Sequence, residues 1–305
     1  MRYLVRRIIG LVPVALGVVT LTFALIHLIP GDPVVAMLGE NAMPADIAGL
    51  RHQLGLDRPL VDQYGDFLWS LAHGNLGNSI AMHQPVTRLI GERFPATLEL
   101  ALAGLAVAIV IAIPLGVLAG ANPGGPVDLG AMGFAIMGIS IPHIYLGPLL
   151  MIVFSLDLGW LPLTGRGGLA HLVLPAVTLG AALSAILARM LRQSVAQVRG
   201  ADYMRTAIGK GLSPKRALIR HGLRNALTPF ITILGLQLGG LLTGTIVTEM
   251  IFSWPGIGRL LITAINSRDY PLVEGIVLTF ALSYVGVNLL TDMVYGLIDP
   301  RIRLS

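Results

Sequence analysis

Seven histidines stand at positions 27, 52, 73, 83, 143, 171 and 221. No two are four residues apart, the spacing that puts both imidazoles of a helical metal site on one face. The chain has no cysteine, which removes thiol nucleophiles, thiolate metal sites and disulfides. Ser140 and His143 offer a nucleophile and a base for an intramembrane protease, but Pro142 lies between them and nothing marks an oxyanion hole. A capped or softened proline kink is the plainer reading. The pair Gly209-Lys210 is followed by Gly211, with Met204 where a phosphate-cradling loop needs its first glycine. Asp292 invites a proton-relay reading, because ionisable groups in a span are costly and usually functional. It lies near a span end, as do Glu99, Glu249 and Glu274, so a proton-coupled carrier is disfavoured. No covalent chemistry is expected of this chain, nor a metal site.

The elements that must carry these residues are membrane spans. Of 305 residues, 54% are apolar and 12% charged, about half the charge of a soluble domain, and the mean hydropathy is +0.78. A bilayer crossing takes about 20 apolar residues, and six segments qualify: Ile8–Ile29, Thr97–Ala121, Leu129–Leu156, Leu172–Leu191, Ala226–Ile251 and Leu272–Ile298. Pro142 and Pro148 make the third irregular, kinked or partly broken. The first apolar run is too long for a secretory signal and lacks a small-x-small cleavage site, so it reads as an uncleaved helix. The expected fold is all-α and integral to the membrane. Residues 1–29 form the tail and first span, 30–96 an external segment, and 97–305 a core of five spans.

Charge sets the direction. The N-terminus, the stretch Arg189–Arg224 and the C-terminal tail hold 14 basic residues, and with the turn that carries Asp128 their side of the membrane has only three acids, Asp128, Asp202 and Asp299. The opposite faces hold seven basic residues and nine acids. By the positive-inside bias both termini are cytoplasmic. This accounts for the net charge of +5 without nucleic acid. The external segment 30–96 contains amphipathic stretches around Ile47–Leu54 and Val61–Leu71.

The cytoplasmic loop 192–225 is the most informative run. Ala201–Lys210 reads as a short helix with an apolar stripe of Tyr203, Met204, Ala207 and Ile208. Gly211 can take the left-handed conformation that ends a helix. Ser213 then caps a second helix with Pro214 at its first position. Arg216, Arg220 and Arg224 recur every four residues, so they share a face and need acids or lipid phosphates nearby. A loop lying on headgroups explains the arginines; a docking surface for a soluble partner explains the stripe as well.

The elbow resembles the coupling loop of bacterial ABC-importer permeases, with Ala207 at the second alanine of that motif and Gly211 four residues later. Arg205 replaces its glutamate, and Arg224 stands where the general motif has proline. Tyr203-Met-Arg-Thr-Ala207, Lys210-Gly-Leu-Ser213 and His221-Gly-Leu-Arg-Asn-Ala-Leu-Thr-Pro229 resemble the peptide/nickel branch. So do, in order, Met1–Arg7, Pro30-Gly-Asp-Pro33, Leu54-Gly-Leu-Asp-Arg-Pro-Leu60, Gly74-Asn-Leu-Gly77, Glu92-Arg-Phe-Pro-Ala-Thr-Leu98, Gly159-Trp-Leu-Pro162, Phe252-Ser-Trp-Pro-Gly-Ile-Gly258, Arg268-Asp-Tyr-Pro271 and Asp299-Pro-Arg301.

The resemblance implies a type I permease fold in a bacterial inner membrane. It also implies a second homologous permease subunit, two ATP-binding subunits that use ATP and Mg, and an extracytoplasmic solute-binding protein. The chain itself would bind membrane lipid and no cofactor. Asp202, Tyr203, Arg205, Ala207, Gly211, Leu212, Ser213 and Pro214 would form the ATPase-coupling loop. The cargo implied is a di- or oligopeptide, glutathione-like peptides included, with nickel as the rival; the spans carry little for nickel beyond His27 and His143. Thr178, Ser184, Gln237, Thr243, Thr245 and Thr248 are candidates for a polar path, although threonines in spans often only bond the preceding turn. Gly235 with Gly239, and Gly240 with Gly244, have the spacing of close helix approach. A stand-alone carrier and a structural scaffold remain the alternatives.

Overall fold

The computed structural model describes residues 13–24, 34–35, 43–53 and 55–298. Within these the chain is helical apart from turns and an isolated bridge between Asn78 and Pro85. The helices are α1 (Pro13–Ala24), α2 (Pro44–Gln53), α3 (Leu60–Ala72), α4 (Val86–Ala121), α5 (Pro126–Ser140), α6 (His143–Met151), α7 (Leu169–Arg199), α8 (Asp202–Gly209), α9 (Pro214–Ala217), α10 (Leu223–Ile251), α11 (Ile257–Asn266) and α12 (Tyr270–Ile298). Wide π-helical turns extend α6 over Ile152–Asp157 and join α9 to α10 over Leu218–Gly222.

Four stretches, in α4, α7, α9–α10 and α12, are long and apolar enough to cross a bilayer. The expected third span is a pair of helices, Pro126–Ser140 and His143–Asp157, bent by 102°. Proline dictates the break. Ile141 precedes Pro142 and takes the extended backbone that such a residue prefers (φ −93°, ψ 109°). The Ser140 hydroxyl donates back to the Ile136 carbonyl at 2.8 Å, and Pro142 caps α6. Ser140 and His143 therefore belong to a kink. Of the first expected span the structure describes only Pro13–Ala24, which is helical; the rest of Ile8–Ile29 lies outside the described residues, as do Met1–Arg7, Pro30–Pro33 and Asp299–Arg301.

The chain divides into two compact units, one of residues 1–95 with 256–285, the other of 96–255 with 286–305. In the first, both amphipathic stretches of the external segment are helices. Helix α3 covers α1: Tyr64 Oη and Thr20 Oγ1 are 2.6 Å apart, and the Phe23 ring packs on Tyr64 and Phe67. The stretch between the last two expected spans contains α11. Its Ile257, Leu260, Leu261 and Ala264 are buried at the three- and four-residue spacing of an amphipathic helix.

In the second unit Leu179, Leu183, Leu187 and Leu191 form one row along α7 and pack with Leu100, Ala108 and Ala112 of α4 and with Ala226 and Phe230 of α10. Small residues bring α4 and α7 together. A Cβ at Gly180 would stand 2.5 Å from the Gly104 carbonyl oxygen, one at Gly116 would stand 2.9 Å from that of Ala188, and one at Gly120 would stand 2.6 Å from that of Arg192. These contacts advance along both helices in the same sense, so α4 and α7 are parallel. Without water to drive apolar association, such close backbone approach is how spans gain packing energy.

Candidate functional site

The elbow begins where α7 ends. Ala201 is extended and starts α8, and Met204 is buried at 1% exposure. It sits over Gly222, where an added Cβ would meet Leu218 at 2.9 Å, Val198 at 3.0 Å and Met204 Sδ at 3.5 Å. Ala207 and Leu212 are half-buried against the same core. The stripe therefore splits: Met204 and Ala207 anchor α8 to its own chain, while Tyr203 and Ile208 are exposed beside Asp202 and Arg205. Gly211 has φ +94°, and its N–H donates to the Ile208 carbonyl at 2.9 Å. That left-handed turn reverses the chain into Ser213, whose hydroxyl accepts from the Arg216 N–H at 3.4 Å, with Pro214 first in α9.

The elbow is fixed at both ends. Arg192 holds Asp128 with two hydrogen bonds (Nε to Oδ1 2.9 Å, Nη2 to Oδ2 2.6 Å), Gly124 N–H donates to Asp128 Oδ2 at 2.8 Å, and the Arg199 guanidinium donates to the Ala121 carbonyl. These tie the end of α7 to the α4–α5 corner. On the other side Asn225 Nδ2 donates to Tyr203 Oη at 3.1 Å, joining α8 to the start of α10. Arg216, Arg220 and Arg224 are all exposed, with no acid paired to them among the described residues. The intervening π turn, wider than an α turn, breaks their regular four-residue register.

A cavity of about 210 Å³ lies between the middle of α7 and the middle of α10 and is lined by His143, Leu179, Ala182, Leu183, Ile186, Gln237, Gly240, Leu241 and Gly244. Gln237 is thus on its wall. Thr178, Ser184, Thr245 and Thr248 are buried and donate to carbonyls of their own helices: Leu174 at 2.8 Å, Ala181 at 2.6 Å, Leu242 at 2.7 Å and Gly244 at 3.4 Å. The side chains of Thr243 and Asp292 lie outside the described ones. Of the paired glycines, Gly240 and Gly244 face the cavity, whereas Gly235 faces α12, where a Cβ would fall 2.0 Å from Thr291 Cγ2.

Two further polar constellations were not singled out above. In the first unit the buried Asp269 carboxylate accepts from Ser79 Oγ (2.5 Å), Ile80 N–H and Ala81 N–H (3.1 Å each) and Leu272 N–H (3.4 Å). An acid preceding α12 is an N-cap signal, but its partners 188 to 190 residues away leave no local trace. In the second unit buried Thr97 donates to Glu249 Oε1 at 2.6 Å and Trp254 Nε1 donates to the Ala96 carbonyl at 2.8 Å. There Arg166 holds Glu99 at 2.5 Å and lies 6.0 Å from the Trp254 ring centroid.

Two family profiles match the chain: "binding-protein-dependent transport system inner membrane component" over residues 112–304, and the N-terminal segment of such membrane components over residues 1–101. The chain is 43% identical over 303 residues to the glutathione transport system permease protein GsiC of Pectobacterium atrosepticum, covering 99% of each. It is 43% identical to the di/tripeptide transport system permease protein DppB of Pseudomonas aeruginosa (99% of this chain, 98% of the other). To the dipeptide transport system permease protein DppB of Escherichia coli K12 it is 41% identical (99% of each). Among solved structures, a chain of the inward-facing MetNI methionine ABC transporter matches with a TM-score of 0.55 at 17% identity, over 69% of this chain and 96% of that one. A chain of an amino acid ABC transporter solved with histidines matches at 0.54 and 15%, over 68% and 94%. The protein belongs to the family of inner membrane components of binding-protein-dependent transport systems.

Proposed function

We propose that this chain forms half of the membrane pore of an ATP-driven importer of di- and oligopeptides. Its partners in this reading are a second homologous permease subunit, two ATPase subunits and an extracytoplasmic binding protein. Both termini and the elbow face the cytoplasm, in keeping with the 14 basic residues gathered on that side. ATP is hydrolysed on the partner subunits. Peptide cargo is the reading favoured by relatives named for glutathione, dipeptide and di/tripeptide transport.

The observation that carries the mechanism is the elbow's attachment. It joins α7 to α10, and those two helices supply eight of the nine residues that line the cavity. Exposed Tyr203, Arg205 and Ile208 offer the ATPase an apolar and cationic contact. Buried Met204 and the Asn225–Tyr203 bond carry a push on α8 into both helices. Closure of the ATPases on ATP then tilts α7 and α10 together, and the cavity changes which side it opens to. Gly211 keeps the reversal tight enough for the elbow to move as one piece.

The test is reconstitution. The chain, its partner permease and ATPases are placed in vesicles with the binding protein, and uptake of a radiolabelled dipeptide is followed. Uptake that needs both ATP and the binding protein is expected. Uptake without ATP, or by this chain alone, would refute the assignment in favour of a stand-alone carrier.

A further inference from the structure

The cavity between α7 and α10 has a composition that packing alone does not explain. Its walls are aliphatic, from Leu179, Leu183, Ile186 and Leu241, and among the described residues no acid, lysine or arginine lines it. Gly240 sits mid-helix, where glycine is the poorest residue after proline, yet a Cβ there would meet no atom within 4 Å. The glycine serves no close approach. What it leaves is open volume.

Two polar groups break the apolar wall. His143 Nδ1 lies 2.9 Å from the Thr178 carbonyl oxygen, which can only accept, so this nitrogen carries a hydrogen and Nε2 is left for another partner. The Gln237 side-chain amide, with donors and an acceptor, has no hydrogen-bond partner among the described residues. Both side chains are half-buried, and each keeps a polar atom free to meet a ligand in the cavity. An aliphatic pocket with an amide and an imidazole nitrogen on its wall matches a peptide: an apolar side chain flanked by an N–H and a C=O. The volume fits as well. A cavity of about 150 Å³ accommodates a benzene ring, and this one is about 210 Å³.

We propose that this cavity receives one apolar side chain of a peptide in transit, with Gln237 and His143 Nε2 binding the peptide groups beside it. The inference rests on the reading of the chain as a peptide importer and adds a specificity pocket to it. Gly240 sets the depth of the pocket, and Gln237 is a cargo-binding residue.

The experiment uses the complete reconstituted transporter with its unaltered binding protein and compares uptake of Ala-Ala with that of Phe-Phe. Gly240→Leu should lower the Phe-Phe to Ala-Ala ratio by about tenfold or more relative to the wild-type complex, since pocket discrimination of this kind runs from about tenfold upward. Gly240→Ala, a milder filling, should move the ratio the same way by less. Gln237→Leu should depress uptake of both peptides in a complex that still assembles. An unchanged ratio in both Gly240 variants would overturn the pocket. So would failure of Gly240→Leu to associate with the second permease subunit, which would make the cavity an assembly surface. If the wild-type complex imports neither peptide, the peptide reading itself fails, a result distinct from an unaltered ratio.

Discussion

Replacing Asp269 by alanine removes the acceptor for four donors at once. The carboxylate is fully buried, and Ser79 Oγ, Ile80 N–H, Ala81 N–H and Leu272 N–H all point to it. A hydrogen bond to a charged group is worth about 1.5–3 kcal/mol, and such bonds in one network do not add. The Leu272 contact at 3.4 Å is the weakest. Alanine also takes this acceptor from three backbone amides, two of them in the 79–81 turn. Together these give about 3 kcal/mol for local opening of the 79–81 turn, or roughly a hundredfold in its opening equilibrium. Asparagine keeps one carbonyl acceptor but turns an NH₂ toward a donor, so it should cost about half as much. Hydrogen–deuterium exchange on the protein in nanodiscs reads this directly: the peptide spanning residues 78–85 should lose about two orders of magnitude of protection. A peptide from the middle of α7 should keep its protection. Unaltered exchange at 78–85 in Asp269→Ala would refute the claim that this carboxylate holds the turn.

Other consequences are as direct. Gly235→Ala puts a Cβ 2.0 Å from Thr291 Cγ2, an overpacking that should cost about 1–3 kcal/mol and lower the thermal midpoint in detergent; adding Thr291→Ala should recover most of the loss. The exposed pair His52–Asp57 (2.7 Å) raises the His52 pKa above 6.5 through the hydrogen bond and charge of Asp57, and lowers that of Asp57 below 3.8 through the His52 hydrogen bond. The His52 contribution is complete below pH 6.5 and is lost as pH rises through the raised value. That of Asp57 is complete above 3.8 and lost as pH falls through the lowered one, so both are present between pH 3.8 and 6.5. An NMR titration should find the His52 midpoint above 6.5 and return it to the ordinary value in Asp57→Asn; an equal midpoint in both would contradict the pairing.

What was legible in the sequence was what is local. The elbow could be read because Gly211, Ser213 and Pro214 act within a few residues of each other, and the observed +94° φ and the Ser213 cap follow from those types. The broken third span was readable from Pro142 for the same reason. Helix α4 instead starts 11 residues before the expected crossing, because a hydropathy reading stops where Arg88, Glu92 and Arg93 begin, while a helix does not need to be apolar to continue. The stripe on α8 was legible as apolar, but which half turns inward depends on Val198 and Gly222. The Asp269 turn and the cavity are products of tertiary contact. Gln237 was identified as polar in a span, whereas the aliphatic pocket around it takes shape only when α6, α7 and α10 meet.

The central claim is that the elbow transmits the work of ATP hydrolysis to α7 and α10, and Gly211 is the place to test it. A Cβ there meets no atom within 4 Å, so Gly211→Val acts through the backbone alone. At φ +94° a β-branched residue is strained by about 1–2 kcal/mol or more, enough to shift the reversal without disturbing the core. The decisive measurement is peptide taken up per ATP hydrolysed in vesicles containing the full transporter. The account predicts that Gly211→Val assembles and hydrolyses ATP while its uptake per ATP falls by about tenfold, the factor that 1.4 kcal/mol corresponds to. A variant that imports as much peptide per ATP as the wild type would contradict it.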